Sequence, residues 1–137
     1  MIDISVYKNK RGESSVQFLE TAREIHIHSI RQAAKIPNKF KYFLSGDIVS
    51  LAASGHLNAK KGNSINPKNQ HEVQIRRDYF MSSYADYQAL ISQVGVAIEF
   101  AEFTDSAITT WMRMIDDEMR LLKGVIDTDK SRYKDLP

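Results

Sequence analysis

The sequence contains no cysteine. Disulfides and thiolate metal sites are therefore excluded, and a reducing compartment suits the chain. No apolar run approaches the roughly 18 residues that a membrane-spanning helix needs. The first residues, Met1-Ile2-Asp3-Ile4-Ser5, lack a basic stretch followed by an apolar one, so no secretory signal is expected and the expected location is cytoplasmic. Also missing are a glycine-rich phosphate loop, a nucleophile elbow, a Ser/His/Asp arrangement and His-Glu-x-x-His, so no catalytic residue and no cofactor is assigned. No segment alternates as a strand does. What remains is 42% hydrophobic and 26% charged residues, ordinary for one soluble domain spanning 1–137.

Three breaks divide the chain: Ile36-Pro37-Asn38-Lys39, Gly62-Asn63-Ser64-Ile65-Asn66-Pro67 and Phe103-Thr104-Asp105. Between them, apolar residues recur at helical spacing. Residues 1–13 read as a flexible arm. Helix 1 is expected to start at Ser14, with Gln17 completing a capping box, and to end at Pro37. Its stripe is Phe18, Ala22, Ile25, Ser29, Ala33 and Ile36, widened by Leu19 and Ile30. Helix 2, about 39–61, carries Phe40, Phe43, Leu44, Ile48, Leu51, Ala52 and Ala59, with Gly46 and Gly55 read as close-packing positions. Asn66-Pro67 is expected to start a long helix 3 over about 68–102. It is lined by Val73, Phe80, Tyr84, Tyr87, Leu90, Ile91, Val94, Ala97, Ile98 and Ala101. Thr104 or Asp105 caps helix 4, whose stripe is Ile108, Trp111, Met112, Ile115, Met119, Leu122 and Ile126. Residues 130–137 read as a charged tail. The predicted fold is all-α, an up-down-up-down antiparallel four-helix bundle, because short loops join antiparallel neighbours.

Net charge is +2, but residues 1–80 carry 13 Lys/Arg against 7 Asp/Glu, and residues 81–137 carry 6 against 10. The predicted topology sends the arm, the helix 2–3 loop and the tail to one end. Lys8, Lys10, Arg11, Lys60, Lys61, Lys68, Lys130, Arg132 and Lys134 then share a pole, with Arg76 and Arg77 further in. Several cations on one surface suit phosphate, because each contact releases counterions, and Tyr7, Tyr79 and Tyr133 offer stacking near them. The competing reading is solubilising lysines at chain ends and loops.

The four histidines include no metal set: His26 and His28 face different sides of one helix, and the Glu-x-x-His pairs of di-iron bundles are missing. No metal is assigned. Asp116-Asp117-Glu118 reads as a solvated face or as ion-pair partners, for instance of Arg113 or Arg120. Arg76 and Arg77 are candidates for phosphate contact, or for one of them bridging Glu72 or a carboxylate on a neighbouring helix. Adjacent aromatics cannot all point inward, so Tyr42, Tyr79 and Tyr87 are candidates for an edge or subunit contact. A helix 3 longer than its neighbours points the same way, towards a homo-oligomer.

Several short segments carry a family resemblance. Lys10-Arg11-Gly12-Glu13-Ser14, Ile36-Pro37-Asn38-Lys39-Phe40-Lys41-Tyr42, Asn58-Ala59, Arg76-Arg77-Asp78-Tyr79 and Ser131-Arg132-Tyr133 resemble the layout of small bacterial four-helix-bundle proteins often carried by phages and mobile elements. The chain is similar to the accessory variability determinant proteins of diversity-generating retroelements and to the ribosomal-RNA intervening-sequence proteins. The resemblance implies a four-helix bundle, a ring-like oligomer such as a pentamer, and binding of nucleic acid and a reverse transcriptase. It carries Lys39, Lys41, Arg76 and Arg77 over as basic contacts. The chain departs from the pattern at Asn38, where lysine is preferred, and in its low net charge. The expected function is a non-enzymatic accessory that holds RNA or DNA backbone through Lys39, Lys41, Lys60, Lys61, Lys68, Arg76 and Arg77. The alternative is an oligomeric protein-interaction bundle without nucleic-acid binding.

Overall fold

The computed structural model describes residues 13–137. The arm residues 1–12, with Tyr7, Lys8, Lys10 and Arg11, lie outside the described residues. Four helices follow: α1 (Glu13–Ala33), α2 (Asn38–Ser64), α3 (Gln70–Ala97) and α4 (Asp105–Arg132). No strand occurs among the described residues, and no helix there is long and apolar enough to cross a membrane. Each helix packs on two others, in the circuit α1–α2–α3–α4 and back to α1, and α2–α3 is the most extensive interface. Residue numbers run oppositely across it: Asp47 meets Gln93, Ser54 meets Asp86, and Gly62 lies against Phe80.

The helix ends depart from the expected ones for local reasons. α1 begins at Glu13, before Ser14, and stops at Ala33. Lys35 and Ile36 then close a turn by donating to the Gln32 and Ala33 carbonyls, as the proline that follows disfavours helix. The Pro37 carbonyl accepts from Phe40 and Lys41 and so opens α2. α2 runs through the expected loop to Ser64, because Gly62 lets the helix pass over the Phe80 ring. The α3 cap is Asn69 rather than Asn66. Its side chain accepts from the Glu72 N–H at 2.9 Å, while Glu72 reaches back to the Lys68 N–H at 2.8 Å, a variant of the reciprocal capping arrangement. α3 ends at Ala97, short of 102, so it is no longer than α4. Thr104 caps α4 through the Ala107 N–H. α4 continues to Arg132, taking in the first part of the expected tail.

The core holds the stripes read from the sequence: Phe18, Ala22, Ile25, Ile48, Phe80, Leu90, Val94, Trp111, Ile115 and Leu122 are buried. Phe43, Ile30, Ile91 and Ile98 instead lie exposed. Tyr87, expected at an edge, is fully buried, with its ring filling the space a Cβ on Gly55 would need. Gly46 faces open space and is not a packing position. Trp111 is held by donating from Nε1 to Ser29 Oγ at 2.9 Å.

Candidate nucleic-acid-binding end

The end of the bundle where α2 and α4 finish and α3 begins is built around a buried ion pair. On α3, Val73, Arg76, Phe80 and Ser83 follow one another along the inward face, and all are buried. Arg76 therefore points into the bundle. Its Nε donates to Asp129 Oδ2 at 2.7 Å and its Nη2 to Oδ1 at 3.4 Å. Nη1 donates to the Gly62 and Ile65 carbonyls at 3.2 and 3.1 Å, serving the end of α2. The guanidinium also lies over the Phe80 ring. Such a fork satisfies a carboxylate and freed helix carbonyls together, which a lysine could not do. Arg76, expected as a phosphate contact, is thus a clamp joining α2, α3 and α4. The partner-helix bridge, the other reading of Arg76-Arg77, is the one observed.

The chain past α4 is pinned to the same end. Gln70 donates from Nε2 to the Tyr133 and Leu136 carbonyls at 2.8 and 3.1 Å, and its own N–H donates to the Pro137 oxygen. Beside this lies a cleft of about 790 Å³. Phe18, Leu19, Leu121 and Val125 give it apolar walls, and Lys60, Asn63, Ser64, Asn66, Arg132 and Tyr133 bring polar groups to it. Lys60, Lys61 and Lys68 are exposed at this end and Arg77 is half-buried. Lys61 sits over the Tyr79 ring at 5.9 Å. Glu72, Asp127 and Asp135 temper the positive field.

Lys39 and Lys41 are not brought to this group. They lie in the first turn of α2, and roughly 30 Å of helix separates them from Lys60 and Lys61. Lys39 is exposed there beside Phe40, whose ring packs on Phe100. The seven expected contacts therefore divide into Lys60, Lys61, Lys68 and Arg77 at one end, Lys39 and Lys41 at the other, and Arg76 inside. Arg132, Asn63 and Asn66 join the cleft without having been singled out as contacts. Their loop and helix-end positions were the available signal.

Elsewhere, the acidic run of α4 splits by helical position. Asp116 pairs with Arg120 at 2.7 Å on the surface, and Asp117 is exposed. Glu118 is fully buried, and neither of its carboxyl oxygens has a partner among the described residues. Burial pushes its carboxyl up to about 9, so it is protonated at neutral pH. Burial first, then the nearby Glu118 and Asp86, raises the Tyr87 phenol above its ordinary value. Glu118 is one turn from Ile115 and Leu122 in the core register, a spacing that could have revealed it.

His26, His28 and His56 are half-buried and pair with protein groups, whereas His71 is exposed. His28 Nε2 donates to the Ala107 carbonyl at 3.0 Å. Its pKa is lowered by burial, against the opposing effect of that bond. His26 Nδ1 and His56 Nδ1 lie 3.0 Å apart between α1 and α2, so one ring donates and the other accepts. His56 is lowered by burial, then by His26, Lys60 and Arg23. No group of three His, Asp or Glu able to hold a metal occurs among the described residues.

No family model matches the chain, and neither does any curated protein or solved structure.

Proposed function

We propose that this chain is a non-enzymatic accessory of a reverse transcriptase or related mobile-element machinery. It would be an up-down-up-down antiparallel bundle that captures the phosphate backbone of RNA or DNA at the end where α2 and α4 finish. The observation that carries this reading is the gathering of Lys60 and Arg132 on one cleft, together with the amides of Asn63 and Asn66 and with exposed Lys61 and Lys68 close by. Lysine and arginine neutralise phosphates, amides donate to their oxygens, and neither distinguishes bases. The antiparallel topology is supported at the remaining helix pairs too: Ser45 with Ala33 and His26 with His56 run oppositely, His28 late in α1 meets Ala107 early in α4, and Arg76 early in α3 meets Asp129 late in α4.

The test is binding of labelled structured RNA and duplex DNA across a salt series. The wild type should bind with an affinity that falls steeply as salt rises. Lys60→Glu, Lys61→Glu and Arg132→Glu together should abolish binding with helicity unchanged, whereas Lys39→Glu with Lys41→Glu should leave most of it. Loss through the second set alone would move the site to the opposite end. Absence of binding at low salt would remove the function itself.

A further inference from the structure

The surface of this bundle is divided between a charged half and a nearly uncharged one. From Tyr42 to Ala59 on α2 the only Asp, Glu, Lys or Arg is Asp47, and from Tyr79 to Ile98 on α3 it is Asp86. Both carboxylates are taken up across the α2–α3 seam. Asp47 accepts from Gln93 at 3.1 Å, and Asp86 accepts from Ser54 at 2.7 Å and Asn58 at 3.0 Å. Apolar side chains stand out on these same helices, including Phe43 (66% exposed), Leu57 (51%), Met81 (51%) and Val96 (45%). The outer faces of α1 and α4 differ: Arg23, Glu24, Arg31, Arg113, Asp116, Asp117, Arg120 and Lys123 are all exposed there.

We propose that the outer face of α2 and α3 is the surface on which a second copy of this chain packs. Along α3 the uncharged stretch is about 30 Å long. Two helices side by side, each about 10 Å across, give roughly 600 Å² per partner, or about 1,200 Å² in all, enough for a specific interface. An outer face of that extent, carrying exposed apolar side chains and few charges, lies at the upper end of what a monomer ordinarily shows. Charge selects the occupant. A strongly charged partner surface would lose hydration against this face and find only Asp47 and Asp86, each already hydrogen-bonded, to pair with. Among the described residues the matching surface is the same α2–α3 face, and a self-complementary patch is what a two-fold contact uses. The inference does not depend on phosphate capture, which concerns the bundle's end rather than this flank.

The experiment is solution mass by light scattering over a concentration series, with the wild type beside Ala89→Arg/Val96→Arg and, as a control, Thr109→Arg on the exposed face of α4. The wild type and the control should run as multiples of one chain. The Ala89→Arg/Val96→Arg protein should fall to the mass of one chain with an unchanged helical circular-dichroism spectrum. A helical wild type that stays at one chain throughout would overturn the proposal and leave a different protein as the occupant of the face. An assembly that survives both arginines would overturn it by placing the contact elsewhere. Should the double variant lose its helicity, the separate Leu57→Lys variant, at an exposed α2 position, decides in the same way.

Discussion

Arg76 on α3 and Asp129 on α4 meet at 2.7 Å with their side chains only 7% and 9% exposed, so two opposite charges are sealed in the end of the bundle. Removing one partner strands the other in a poorly solvated site. Asp129→Asn or Arg76→Met should each destabilise the fold by about 3–5 kcal/mol, and the double variant by less than the sum. Urea unfolding of the three proteins checks this. Additive losses would mean that the two residues do not act as a pair.

Glu118 sets a pH dependence of known sign. Its folded-state pKa, near 9, lies above its ordinary value of 4.5. Between those values the unfolded chain has released the proton and the folded chain keeps it. Stability therefore falls as pH rises through that window and levels off above it. At pH 7 the accumulated loss is about 3 kcal/mol at 1.36 kcal/mol per unit. Glu118→Gln should recover much of it and flatten the decline. Unfolding midpoints at about pH 5 and about pH 8 for both proteins measure the difference.

His56 acts in the opposite direction. His56 is lowered by burial and by His26, and His28 is lowered as well. For such groups stability is present above the ordinary value of 6.5 and is lost as pH falls through it towards the folded-state value. His56→Gln should weaken the acid-side loss, leaving the contribution of His28. The readout is the wild-type-minus-variant stability from pH 8 down to about pH 5, since a difference cancels the Glu118 contribution. A difference that does not vary with pH would rule out titration of His56.

Three helical glycines should answer differently to alanine. A Cβ on Gly62 would lie 2.6 Å from Phe80 Cε1, and one on Gly55 would lie 2.8 Å from Tyr87 Cζ. Both rings are buried, so Gly62→Ala and Gly55→Ala should cost about 1–3 kcal/mol each. Gly46 has nothing within 4 Å, and Gly46→Ala should stabilise by roughly 0.5–1 kcal/mol. Thermal unfolding of the three variants gives the comparison directly.

Helix number and most of the core follow from apolar spacing alone, because a residue every third or fourth position returns to one face whatever it packs against. Pro37 and Thr104 end and begin helices by local chemistry, and both could be read in the chain. Asn66 was the plausible cap, but Asn69, with Glu72 three residues on, is used. Both asparagines are cap residues, but only Asn69 has a carboxylate three residues on to complete the reciprocal bonds. The candidate site was legible only in part. Lys60, Lys61 and Lys68 belong to one end by connectivity, which chain order reveals, whereas Arg76 looks like its neighbour Arg77 until the inward register is traced.

The amino-acid sequence by itself determined the four amphipathic segments, their breaks and the uneven distribution of charge along the chain, since these depend on residues close in sequence. Only the tertiary structure decided which polar groups lie inside. Arg76 finds Asp129 53 positions away, Glu118 loses water because the neighbouring helices packed on α4 bury it, and Asp47 and Asp86 are taken up across the α2–α3 seam. Burial and pairing depend on what arrives from distant parts of the chain. Periodicity shows which way a side chain points; the neighbouring helices determine what it meets.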